Sequence, residues 1–118
     1  MLRIGLMPKK IDTIKKHSDF INIKLSCKIL VSKSLILQKL FDSNLNNSIK
    51  VGFITTKKIG TAVKRNRAKR LMRSIVREII NKYGKNNFAY VLIARKTIFV
   101  AKYDELKEEL HKMLKKNE

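Results

Sequence analysis

A chain of 118 residues is long enough for one domain with a single modest core and too short for two. Its 28 Lys and Arg against 9 Asp and Glu leave a formal net charge of +19, a self-repulsion that solubility does not require and that points to an anionic partner. One cysteine, Cys27, excludes an internal disulfide and a multi-cysteine zinc site, and the distant His17 and His111 offer no metal-ligand spacing. No apolar run approaches the roughly 18 residues of a membrane-spanning helix, and the opening apolar stretch is too short for a secretory signal. A reduced, cytoplasmic setting without a membrane partner is the expectation.

In chain order, residues 1–16 read as a basic arm that orders on binding, ahead of one domain spanning 1–118. From Ser18 to about Ser26, Phe20, Ile21, Ile23 and Leu25 alternate with polar residues as in a short helix, with Ser18 placed to cap it. Ile29 to Val31 and Leu35 to Leu40 read as strand, tight connection, strand. The run from Asp42 to Ser48, DSNLNNS, is a turn by composition. A third strand follows over Ile49 to Thr56, with Val51 and Phe53 on one face and Lys50, Gly52 and Ile54 on the other. Gly52 has no side chain, so a neighbour can approach the backbone there.

Residues 57–78 are dense in Lys and Arg and contain no acid before Glu78. Gly60 ends the strand, Thr61 caps a helix running from Ala62 to about Lys82, and Gly84 closes it. At about 100° per residue, Ala68, Leu71, Met72, Ile75 and Ile79 form an apolar stripe, while Asn66, Arg70, Arg73 and Arg77 align almost opposite. Cations one turn apart repel one another, so a row without acids is a surface for a phosphate backbone rather than a merely solvated face. Phe88 to Arg95, FAYVLIAR, reads as a strand covered on both faces, giving a strand-helix-strand unit. Tyr103, Leu106, Leu110, Met113 and Leu114 set the period of a last helix, acidic at its start and basic at its end.

Catalytic chemistry is not visible. Asp12, Asp19 and Asp42 are scattered, there is no phosphate-cradling glycine motif and there is no nucleophile elbow. The chain reads as a binder. A strand rather than a helix precedes the basic helix, which favours RNA over a helix-turn-helix reader of DNA. On composition alone, a small ribosomal protein and a DNA-binding architectural protein remain alternatives.

The spacing at residues 57–73 resembles the signature KKxGxAVxRNRxKRxxR of the bacterial ribonuclease P protein family, matching at Lys57, Lys58, Gly60, Ala62, Val63, Arg65, Asn66, Arg67, Lys69, Arg70 and Arg73. The SDF at 18–20, VGF at 51–53, IARK at 93–96 and YDEL at 103–106 fall in the family's order and spacing. The resemblance implies an α+β, single-domain αβββαβα sandwich of the ribosomal protein S5 domain 2-like type with a left-handed βαβ crossover. It implies a subunit of a ribonucleoprotein endoribonuclease, without catalytic residues or a small-molecule substrate of its own. The partners implied are the ribonuclease P RNA subunit, which binds the Mg2+ and cleaves, and precursor tRNA, whose 5′ leader is removed. The implied RNA-binding set is Lys57, Lys58, Lys64, Arg65, Asn66, Arg67, Lys69, Arg70, Arg73 and Arg77, and the implied leader cleft is Phe20, Lys24, Lys33 and Gln38. Lys24 and Gln38 stand where relatives often carry aromatics. Since stacking is worth roughly 1 to 3 kcal/mol per base, a weaker or more electrostatic grip on the leader follows.

Overall fold

The computed structural model describes residues 10–116. Five strands, β1 (Ile11–Thr13), β2 (Lys28–Val31), β3 (Leu35–Phe41), β4 (Ile49–Ile54) and β5 (Phe88–Ala94), and three helices, α1 (His17–Ser26), α2 (Ala62–Tyr83) and α3 (Tyr103–Lys115), follow in the order βαβββαβα. The strands form one sheet in the order β1-β4-β5-β3-β2. β4 runs parallel to β1 and β5, whereas β3 runs antiparallel to β5 and β2.

β1 is the strand missing from the αβββαβα expectation. It is three residues long, too short to show a period, and exists through β4: Ile11 pairs with Ile49, and the chain on either side bonds from Ile49 N to Lys10 O and from Ile14 N to Val51 O. Residues 11–13 therefore belong to the sheet and not to a basic arm, and residues 1–9 lie outside the described part. α1 begins one residue earlier than expected, so Lys16 occupies the N-cap position without a side-chain bond and Ser18 lies in the first turn. β4 stops at Ile54, and residues 57–59 tighten into a 3₁₀ turn instead of prolonging the strand.

The alternation of the strands divides the molecule into two layers of unequal size. Leu35, Leu37, Ile49, Val51, Tyr90 and Leu92 face α2 and α3 in a large core with Met72, Ile75, Ile80, Leu106 and Leu110. On the other face Ala89 and Val91 form a small cluster with Ile14 and Ile23, beneath the ten-residue α1, with Phe20, Leu40, Ile54 and Ile93 packed against it only partly buried. β5 is thus covered on both sides, as its continuous apolar run requires.

Side chains fasten the large layer. Glu109 of α3 accepts from Ser32 Oγ at 2.5 Å and Ser34 N at 2.8 Å, closing the β2–β3 turn. Lys107 bridges Glu78 of α2 at 3.0 Å and Asp104 at 3.4 Å. Lys39, only 8% exposed, donates from Nζ to the carbonyls of Leu114 and Lys116 and so caps the C-terminal end of α3 with a strand lysine. In the DSNLNNS turn, Asp42 accepts from Asn44 N, and Asn46 and Asn47 take the left-handed conformation that Asn tolerates. Among the described residues no helix is long and apolar enough to cross a membrane.

Candidate nucleic-acid interface

α2 is placed by the turn before it. Gly60 has φ 140°, a conformation that L side chains rarely adopt, and turns the chain out of the 3₁₀ segment. Thr61 then accepts from Lys64 N at 3.3 Å as the N-cap, and Arg65 Nη1 reaches back to the Gly60 carbonyl at 3.0 Å. Gly84 ends the helix with its N–H on the Ile80 carbonyl. It does so at an ordinary φ of −68°, so what it supplies is space: a Cβ there would lie 2.6 Å from that same oxygen.

The buried arc of α2 differs from the expected stripe. Ala68, Met72 and Ile75 are buried as read, but Val76 and Ile80 join them, while Leu71 and Ile79 are half-buried. A helix held between a sheet and a second helix buries a wider arc than one stripe, and α3 draws the C-terminal half round.

The opposite face stays open. Asn66, Arg67, Arg70, Arg73 and Arg77 are exposed along α2, with Lys64 on the first turn and Lys57 and Lys58 on the 3₁₀ turn beneath it. Among the described residues no carboxylate pairs with these guanidinium groups; the ion pairs run instead to Lys107 and Lys112. Arg65 and Lys69 are half-buried. Arg65 holds the Gly60 turn, and Arg73 lies over the Phe53 ring at 5.8 Å, so both are positioned by the fold as well as presented by it.

On the other face of the sheet, Phe20 of α1 rests on the bare backbone of β4. A Cβ at Gly52 would meet Phe20 Cε1 and lie 2.8 Å from Cζ, which is the close approach that a strand glycine permits. Lys24, one turn further along α1, is exposed. Gln38 points to the same face, but at 5% exposure it is sealed beneath α1 and is a floor residue instead of an open contact. Because α1 is short, it leaves Ile36, Ile54 and Ile93 half-exposed toward the C-terminal ends of β4 and β5. There the surface opens into a basin of about 490 Å³, floored by Ile36 and Ile93 and rimmed by Lys33, Lys58, Arg95 and Lys96, with no acid among the described residues of its lining.

A model of the family described as Ribonuclease P matches residues 7–118. Proteins named ribonuclease P protein component are similar along nearly the whole chain: that of Mycoplasmopsis pulmonis is 38% identical over 110 residues, covering 92% of this chain and 93% of the relative. That of Fusobacterium nucleatum is 36% identical over 109 residues, covering 88% and 95%. The chain belongs to the ribonuclease P protein family. The fold agrees. The ribonuclease P protein of Thermotoga maritima superposes with a TM-score of 0.77 at 24% identity, covering 91% of this chain and 98% of that one. The Staphylococcus aureus protein gives 0.72 at 23%, covering 87% and 92%.

The two expected residue sets lie mainly on opposite sides of the sheet and meet at the basin, which Lys58 of one set and Lys33 of the other both rim. The α2 set is contiguous, from Lys57 to Arg77. The cleft set is divided: Phe20 and Lys24 lie on α1, Gln38 is covered, and Lys33 stands away from them on the β2–β3 turn. The sequence reading left Arg95 and Lys96 out of the site, although they close β5 beside Lys33 and Lys58. The signal was present in the IARK match and in the lack of acids around it. Membership makes the chain the protein subunit of a ribonucleoprotein endoribonuclease.

Proposed function

We propose that this subunit binds the ribonuclease P RNA through the exposed face of α2 and guides the 5′ leader of precursor tRNA along the groove between α1 and the sheet toward the Lys33–Arg95 basin. The observation that carries the reading is the row Asn66, Arg70, Arg73, Arg77. It is exposed, spaced by helical turns and without carboxylate partners among the described residues. Guanidinium groups so placed follow phosphates by charge and by paired N–H donors. The groove contributes one aromatic face, Phe20, for a base, with Lys24 a turn away for a phosphate. The 3₁₀ turn at residues 57–59 joins β4 to α2 at the open end of the groove, so one RNA assembly can meet both faces there.

No group of three or more His, Cys, Asp or Glu among the described residues could hold a metal ion. In this reading the magnesium ion belongs mainly to the RNA subunit, together with the chemistry. Mixing the protein with a bacterial ribonuclease P RNA at low magnesium should restore cleavage of precursor tRNA at the 5′ end of the mature sequence. Cleavage no faster than by the RNA alone refutes the reading. Phe20→Ala should weaken binding of substrates that carry a leader by about 1 to 3 kcal/mol and leave leaderless ones unchanged; an equal loss on both identifies Phe20 as packing only.

A further inference from the structure

The cations on the open face of α2 are not equivalent. At about 100° per residue, Arg73 stands about 100° round the helix from fully buried Met72, whereas Arg77 stands about 140° away and Arg70 about 160°. Arg73 is therefore the member of the row nearest the sheet. It lies over the ring of Phe53, 5.8 Å from the centroid and within cation–π range, while Arg70 and Arg77 lie over no ring among the described residues.

The register of the sheet explains why a ring is available there. Phe53 follows Ile49 and Val51 on the face of β4 turned toward the helices, but those two are sealed and Phe53 is only half-buried. β1 stops opposite Val51, so at Phe53 the sheet continues through Leu92 of β5 on one side and, among the described residues, through no strand on the other. The ring packs against the large core and offers a face to Arg73 at the edge of α2. Arg73 itself is exposed, and no carboxylate pairs with it among the described residues. A planar guanidinium can rest on a ring and still present N–H groups from its edge to a phosphate, whereas an ammonium is a point charge without that division. Holding the side chain before RNA arrives also removes part of the rotamer freedom that binding would otherwise have to remove.

We propose that Phe53 is a positioning residue for RNA binding. It holds the Arg73 guanidinium ready for a phosphate and makes Arg73, unlike Arg70 and Arg77, a cation that lysine does not replace. The inference rests on α2 being the RNA-binding face.

The test measures binding of a labelled bacterial ribonuclease P RNA to the full-length protein and its variants. Phe53→Leu, which keeps apolar bulk and removes the ring, should weaken binding roughly 2- to 5-fold, and Phe53→Tyr, which keeps the ring, should not. In an Arg73→Ala background Phe53→Leu should cause no further loss. Arg73→Lys should bind roughly 2- to 5-fold more weakly than the parent, and Arg70→Lys nearly as well as the parent. By NMR of the protein without RNA, the Arg73 side-chain protons should lie upfield of their ordinary positions, through the current of the ring beneath them, and return on Phe53→Leu. An equal loss on Phe53→Leu with and without Arg73 means that the ring only packs, and overturns the proposal. Arg73 resonances at their ordinary positions, or equal tolerance of lysine at positions 70 and 73, overturn it as well. If Arg70→Ala and Arg77→Ala weaken binding and Arg73→Ala does not, this inference falls and the reading of α2 stands; if none of the three weakens it, both fall.

Discussion

The two faces of the sheet are built to different standards of closure. Toward α2 and α3 the strands contribute side chains exposed by 2% or less, such as Leu35, Leu37, Ile49 and Leu92, and the helices seal them. Toward α1 the cover ends after ten residues, and Ile36, Ile54 and Ile93 remain half-exposed. The first face holds a long helix rigidly with its cations outward, and the second keeps a groove. Stability and access are thus assigned to opposite sides of one sheet, so damage to either side should have its own signature.

The largest effect should come from the sealed side. Met72→Ala, at a fully buried position, should cost about 2 to 5 kcal/mol in denaturant unfolding. Ile23→Ala under α1 should fall at or below the low end of that range, because a thinly covered site collapses more easily. Equal costs would mean that the α1 layer is as much a core as the other. Next, Gly52→Ala should destabilise by about 1 to 3 kcal/mol by forcing the Phe20 ring off β4. It should also erase the advantage of substrates that carry a leader, while leaving affinity for the RNA subunit intact.

On the open face of α2 the effects move from folding to binding. Arg70→Ala should leave the melting temperature unchanged and reduce the slope of log K against log salt by roughly 0.7 to 0.9, one phosphate's worth. Arg65→Ala should do the same and in addition lose about 1 kcal/mol of stability, since its guanidinium also holds the Gly60 carbonyl. The smallest effect concerns Lys107, whose hydrogen bond to Glu78 raises its pKa above the ordinary 10.5. A pKa raised in the folded state means that the contribution is complete below the unfolded value and is lost as pH rises through the folded one. Lys107→Gln should therefore narrow the loss of stability measured above about pH 10.5 and leave the shape of the profile below it unaltered.

Much of this was legible in the sequence, and the rest shows what sequence periodicity cannot carry. α2 could be read from Thr61 to Gly84 because capping and period agree over 22 residues. The close approach at Gly52 was legible as a missing side chain, although not that Phe20 would fill it. β1 escaped because three residues show no period and its partner lies in β4, 38 positions away. The resemblance placed Gln38 in the cleft, whereas its burial depends on where α1 lies. Lys39 gave no signal, for a lysine between Gln38 and Leu40 reads as solvent-facing until the end of α3 is placed beside it.

That lysine bears on the order in which the chain folds. An ammonium group is costly to desolvate without acceptors, and here the acceptors are the carbonyls of Leu114 and Lys116, more than 70 positions away. The C-terminal part of β3 and the last turn of α3 must therefore become ordered in one step and open together. Amide hydrogen exchange should report them as a single cooperative unit, although one is a strand from the first half of the chain and the other a helix at its end.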